Sequence, residues 1–151
     1  MEIKTDDLTD ARVAEFLEQH IKDMRSVSPP ESKHALDLAG LKHPSITFWT
    51  AWEDETLVGT AAIKELEPTH GEIKSMRTNP AYRGRGIGSS LLTYLMNQAK
   101  ARGYQRLSLE TGAMPFFAPA RNLYARHGFV VCEPFADYNA DPNSVFMTIK
   151  P

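Results

Sequence analysis

Arg83-Gly84-Arg85-Gly86-Ile87-Gly88-Ser89 sets three glycines and two arginines at the junction of two patterned segments. Before the loop, Glu72 to Thr78 reads as a strand. After it, Ile87, Leu91, Leu92, Leu95 and Ala99 recur at helical spacing until Gly103 ends the pattern. The unit is strand, loop, helix. Glycine has no Cβ, so successive backbone N–H groups can close on an anion, and the helix start adds unpaired donors and the positive end of its dipole. Arg83 and Arg85 can add charge-assisted hydrogen bonds. Such a loop is suited to phosphate.

Other glycine-rich loops fit less well. A P-loop needs Gly-Lys-Ser/Thr, which is missing here. A dinucleotide fold places G-x-G-x-x-G against its first strand, whereas this loop lies mid-chain with different glycine spacing. A plain tight turn with solvated arginines accounts for the glycines but not for their position at a helix start.

Outward from the loop, Arg106 to Thr111 reads as the next strand, Pro119 to His127 as a helix closed by Gly128, Phe129 to Cys132 as a strand, and Val145 to Lys150 as the last. Upstream, Ile46 to Trp52 and Thr56 to Ile63 flank the polar Glu53-Asp54-Glu55 and predict a hairpin. Asp7 or Thr9 can cap a first helix through Val13, Phe16, Leu17 and Ile21, ending near Arg25. A second short helix is expected from the Ser28-Pro29-Pro30-Glu31 break through Leu38, closed by Gly40. Two helices thus precede the sheet in this reading. Strands alternating with helices, with hairpins at both ends, predict an α/β domain with a mixed sheet, residues 1–151 forming one unit.

Composition narrows the function classes. The chain has 151 residues, 42% apolar and 24% charged, which suits one ordinary domain with its own core. A net charge of -2 supplies no global field for nucleic acid or an anionic membrane, so neither is expected as a partner. Cys132 is the only cysteine, which excludes an intramolecular disulfide and points to a reducing, cytoplasmic setting. The five histidines show no ligand spacing and H-E-x-x-H is absent, so no metal is expected. Ser89 and Ser90 lack the G-x-S-x-G setting of a hydrolase nucleophile. Cys132 beside Val130 and Val131 reads as a small buried hydrophobe.

The order Asn79-Pro80, Arg83-x-x-Gly86-x-Gly88, a helix, then Ala120-x-x-Leu123-Tyr124 and Gly128-Phe129 resembles the GNAT superfamily of acetyl-CoA-dependent N-acetyltransferases. The likeness covers Glu72 to Cys132. Segments Ser28 to Ser32, Leu109 to Gly112 and Asp137-Tyr138 with Ser144 to Met147 are similar to a branch of small bacterial acetyltransferases. The resemblance implies a seven-stranded mixed sheet with about four helices, its fourth and fifth strands splayed to admit the pantetheine arm. It implies acetyl-CoA as co-substrate, with backbone groups of Met76 and Thr78 on the pantetheine and Arg83, Gly84, Arg85, Gly86, Ile87, Gly88 and Ser89 around the pyrophosphate. Asn122 is carried over as a further cofactor contact. Many members have Asn where this chain has Phe117.

Acetyl transfer to an amine requires a neutral nucleophile, and an amine of pKa near ~10.4 must first lose a proton. Strict alternation along the fourth strand would put Glu72, Lys74, Met76 and Thr78 on one face. Glu72 resembles the family's strand-borne base, while Lys74 on the same face makes a plain ion pair the competing reading. Glu110 is the alternative carboxylate. Tyr124 matches the family's tyrosine general acid for the departing thiolate; a core tyrosine is the alternative. Met24, Arg25, His34, Lys74 and Tyr138 are candidates for contact with the acceptor, expected to be a small-molecule amine. Self-association as a homodimer stays open. A non-catalytic acetyl-CoA-binding sensor or interaction module is the second functional reading.

Overall fold

The computed structural model describes residues 1–27 and 38–151. Among them the elements run β1 (Glu2–Thr5), α1 (Ala11–Val27), α2 (Leu38–Leu41), β2 (Ile46–Glu53), β3 (Thr56–Glu67), β4 (His70–Thr78), α3 (Ile87–Ala101), β5 (Arg106–Gly112), α4 (Ala118–Arg126), β6 (Val130–Val131) and β7 (Ser144–Ile149). Short 3-10 turns at Pro80–Tyr82 and Pro115–Phe117 lead into α3 and α4. The seven strands form one sheet in the order β1-β2-β3-β4-β5-β7-β6. All neighbours are antiparallel except β4 and β5, so the sheet is mixed, as expected.

Each face of the sheet carries its own core. On one, the stripe Ile87, Leu91, Leu92, Leu95 and Ala99 of α3 meets Ile63, Ile73, Leu107 and Leu109, with Tyr124 and Phe129 closing the end. Each fully buried leucine of that stripe contributes roughly 1.5–3 kcal/mol. On the other, Val13 and Leu17 of α1 and Leu41 of α2 cover Phe48, Trp52, Leu57 and Ala62. No described helix is long and apolar enough to cross a membrane.

Several expectations are corrected. A strand, β1, precedes the first helix; it pairs with β2 at the sheet edge and is largely exposed, so no apolar alternation marks it. The cap of α1 is Asp10, which accepts from Arg12 N at 2.8 Å, because Asp7 is already engaged by the backbone and hydroxyl of Thr9. The helix runs on to Val27, beyond Arg25. The Ser28 segment of the second helix lies outside the described residues. At the far edge, β6 is confined to Val130–Val131, both exposed, and Cys132 after it is half-buried rather than buried.

Candidate active site

The sheet opens where β4 and β5 part. Their parallel pairing covers only His70–Arg106, Gly71–Leu107 and Glu72–Ser108, although β4 continues to Thr78 and β5 to Gly112. Beyond Glu72 the two strands diverge into a V, and β5 is held on its other side by β7 from Leu107 through Gly112. The expected splay is present. A cavity of about 560 Å³ fills the V, walled by Glu72 to Thr78, Leu109 to Gly112, the loop after β4 and the exposed flank of α4. Arg121 of α4 ties down the end of β5, donating from Nη1 to Gly112 O at 2.6 Å and Met114 O at 3.0 Å.

β4 does not alternate strictly. Register shifts between Thr60–Arg77 and Ala62–Lys74, leaving Ser75 and Met76 opposite Ala61 alone, and Ser75 adopts a φ of +51°. This is a β-bulge, which reverses the facing of every later side chain. Thr60 fastens it by donating to Ser75 O at 2.9 Å. Glu72 and Lys74 therefore lie on the α1 side of the sheet, whereas Met76 packs on the α3 side and Thr78 lies beside Gly88. The single face expected for Glu72, Lys74, Met76 and Thr78 is thus corrected: the extra residue splits the set in two. Arg77 takes the α1 side, where alternation had not placed it.

Glu72 is buried at the floor of the V with 3% of its side chain exposed, and Lys74 beside it with 9%. Lys74 Nζ donates to Glu72 Oε2 at 3.1 Å and to the Tyr138 hydroxyl at 3.1 Å, while Tyr138 donates to the same carboxylate oxygen at 2.5 Å. Ionic hydrogen bonds of this kind hold a carboxylate in one orientation. Burial first, then the charge of Glu72, keeps the Tyr138 phenol well above its ordinary range and so protonated. Glu72, Lys74, Tyr138 and Asn143 also wall a second groove, under the 136–143 loop, so this cluster is approached from two sides.

Glu110 pairs with Phe146 two residues beyond Ser108, which sets its side chain on the same face as Glu72. Its charge bears on both Tyr124 and Tyr138. Tyr124 lies on the opposite wall, buried at 7% exposure and tilted against Phe129. Burial, then Glu110, pushes its phenol far up. Phe117, where an asparagine was noted in relatives, packs on Gly112, leaving no room there for a Cβ.

At the start of α3, Gly86 is the cap residue at φ +77° and no side chain caps the helix. The first α3 hydrogen bond runs from Ser90 N to Gly86 O, so the N–H groups of Ile87, Gly88 and Ser89 remain for an anion. Arg83, Gly84, Gly86, Ile87, Gly88 and Ser89 all line the cavity. Arg85 does not; its guanidinium lies over the Tyr82 ring at 4.8 Å. Ser89 Oγ meets His127 Nε2 at 2.8 Å, a link to the end of α4 that sequence reasoning missed because it joins residues 38 apart.

Among the acceptor candidates, Met24, Lys74 and Tyr138 line the cavity. Arg25 is exposed on α1 and does not, because helical rotation points Met24 inward and its neighbour outward. His34 lies outside the described residues. Asn122, expected on the cofactor, is exposed on α4 and does not line the cavity, which α4 walls with Ala120, Leu123 and Tyr124. His20 and Arg77 were not anticipated, yet both line the cavity.

The model of the acetyltransferase (GNAT) family matches residues 8–129. The chain is 54% identical over 99% of both sequences to the uncharacterized N-acetyltransferase YsnE of Bacillus subtilis (strain 168). It is 50% identical to the uncharacterized N-acetyltransferase YedL of Escherichia coli (strain K12), covering 97% of this chain and 92% of that one. Among solved structures, a candidate acyl-CoA N-acyltransferase of Klebsiella pneumoniae subsp. pneumoniae MGH 78578 superposes with a TM-score of 0.79 at 27% identity, over 99% of this chain and 96% of that chain.

Proposed function

The chain belongs to the GNAT family of acetyltransferases, and from that premise we propose that it moves the acetyl group of acetyl-CoA to a small-molecule amine by direct attack in a ternary complex. The observation that carries the reading is the V itself. One cavity runs from the uncapped start of α3, past the parted strands, to a buried carboxylate on one wall and a buried phenol on the other.

In this reading the pyrophosphate sits on the N–H groups of Ile87, Gly88 and Ser89, with Arg83 supplying charge. The pantetheine arm follows β4 past Met76 and Thr78, on the α3 face of the bulge. The thioester then lies in the V between Tyr124 and Glu72. The amine approaches from the α1 face and gives up its proton to Glu72, directly or through water. Its nitrogen lone pair forms the new C–N bond at the carbonyl carbon, the C–S bond breaks, and coenzyme A leaves as a thiolate; the nitrogen loses its second proton to become the amide, which balances the proton the thiolate takes up.

Tyr124 is the group beside that sulfur. Its raised pKa makes full proton transfer to an ordinary thiolate uphill, so its role is to donate a hydrogen bond as negative charge gathers on sulfur. Glu110, on the same face as Glu72, attracts the incoming ammonium. The whole chain acts as one catalytic unit, working in the cytoplasm.

The test is thiol release from acetyl-CoA across a panel of small amines, with Glu72→Gln beside the parent. Turnover with at least one amine, reduced in Glu72→Gln most strongly at lower pH, is the expected result. Tight acetyl-CoA binding with no amine-dependent thiol release from any acceptor would defeat the reading.

A further inference from the structure

Arg77 lines the cavity as a buried cation that the acetyl-transfer chemistry leaves unused. Its side chain is only 9% exposed and it lines the V from the α1 face, between the two residues, Met76 and Thr78, that face the other way. Asp23 of α1 takes one end of the guanidinium, at 2.9 Å from Nη1, and His20 Nδ1 lies 3.4 Å from the same nitrogen. The Phe16 ring, 5.2 Å away, supports the group from α1. Nε, by contrast, is buried and has no hydrogen-bond partner among the described residues.

A guanidinium offers two edges, and the one made by Nε–H and its neighbouring terminal N–H is a parallel pair that matches a carboxylate. Asp23 occupies the other end. A buried donor left unmade costs about 1–3 kcal/mol, so an arginine retained in this state stands ready for an acceptor group that arrives with the substrate. His20 stays neutral at physiological pH, its pKa lowered to about 4 by burial and then by Arg77, so it adds no rival cation.

We infer that the Nε edge of Arg77 binds a carboxylate of the acceptor, so that the amine acetylated by this protein is an amino acid or another amine bearing a carboxylate. The inference rests on the acetyl-transfer reading for the amine end and on Arg77 alone for the acid end. The bulge at Ser75 creates the arrangement: without it Arg77 would face α3 and the cofactor. The acid is held across β4 from the pantetheine, and the amine is left to Glu72 and Glu110 deeper in the V.

The experiment compares α-amino and ω-amino acids, each against its primary amide, in thiol-release assays with the parent, Arg77→Lys and Arg77→Gln. The parent should favour acids in kcat/KM by about ten-fold or more, the worth of one charged hydrogen bond. Arg77→Lys keeps the charge but loses the fork, and both variants should erase the preference by slowing acids while amides stay within about two-fold. Acetyl-CoA affinity by calorimetry and thermal unfolding should show that the variants still fold and bind cofactor. Equal use of acids and amides by the parent, or parallel loss of both in the variants, overturns the inference. A second arm titrates the N-acetyl acids and N-acetyl amides into the protein loaded with coenzyme A. Acids bound in an Arg77-dependent way without any turnover would defeat acetyl transfer and keep the carboxylate site; no acid bound would overturn the site.

Discussion

Tyr138 donates to Glu72 Oε2 at 2.5 Å across 66 residues of sequence, so the buried carboxylate at the floor of the V is oriented by a loop from the far end of the chain. Tyr138→Phe keeps the ring packed against Phe135 and Phe146 and removes that donor. Stability should fall by about 1.5–3 kcal/mol, the range for a hydrogen bond to a charged group. Urea unfolding measures that loss, and kcat should drop while acetyl-CoA affinity holds. Parental stability and kcat together would make the contact incidental.

Lys74 and Glu72 form a pair in which each removes the other's unpaired burial. Lys74→Met or Glu72→Gln alone leaves one buried ion without its partner, expected to cost about 3–5 kcal/mol. The double variant should recover much of that, because the remaining groups are neutral. Chemical denaturation of the four proteins in a double-mutant cycle reads the coupling. Additive losses would mean that water reaches the pair freely.

The strand, loop and helix from Glu72 to Ala99 were legible because glycine spacing and a 3.6-residue stripe are local signals. So were the hairpin from β2 to β3 and the closing helix before Phe129. β1 was not, since four residues at a sheet edge, with only Ile3 half-buried, carry no apolar alternation. The bulge was hidden for a different reason: Ser75 holds a positive φ that its side chain does not advertise, and Thr60, 15 residues earlier, stabilises it. One unseen residue then misplaced Met76, Thr78 and Arg77 together. Tyr138 was named as a contact for the acceptor, but its bond to Glu72 depends on long-range packing that no window of sequence contains.

His20 should give folding a pH dependence. Unfolded, it takes a proton near 6.5; folded, burial and Arg77 hold it neutral down to about 4. Between those values the unfolded chain binds more protons, so acid favours unfolding. The stabilisation is complete above pH 6.5 and is lost as pH falls toward 4, an upper bound of about 3 kcal/mol. Asp23, also lowered, adds its loss only below the ordinary carboxylate range. His20→Gln should flatten the stability difference between pH 7 and pH 4.5 in urea titrations; an unchanged slope would assign the acid sensitivity elsewhere.

Gly86 caps α3 at φ +77° with open space where a Cβ would project. Gly86→Ala should therefore cost only about 1–2 kcal/mol of backbone strain and leave the protein folded. Gly86→Glu adds a negative charge at the expected anion site, and acetyl-CoA binding by calorimetry should be abolished with the fold intact by circular dichroism. Retained affinity in the folded Glu variant would move the pyrophosphate away from α3.

Tyr124 offers the sharpest test of the chemical step. Its phenol lies buried in the V, and burial followed by Glu110 pushes its ionisation well above the usual value, so the proton it holds stays in place throughout the neutral and moderately alkaline range. Activity should accordingly show no loss from Tyr124 ionisation up to about pH 10. Tyr124→Phe preserves the contact with Phe129 and deletes the only proton the side chain can offer. Acetyl-CoA affinity should persist, and the single-turnover rate with a good amine should fall by about 10² to 10³ if the hydrogen bond to sulfur forms in the transition state. Single-turnover conditions matter, since slow product release can mask a chemical defect in steady state. A parental single-turnover rate in Tyr124→Phe would leave the phenol a packing residue, with the thiolate departing unaided.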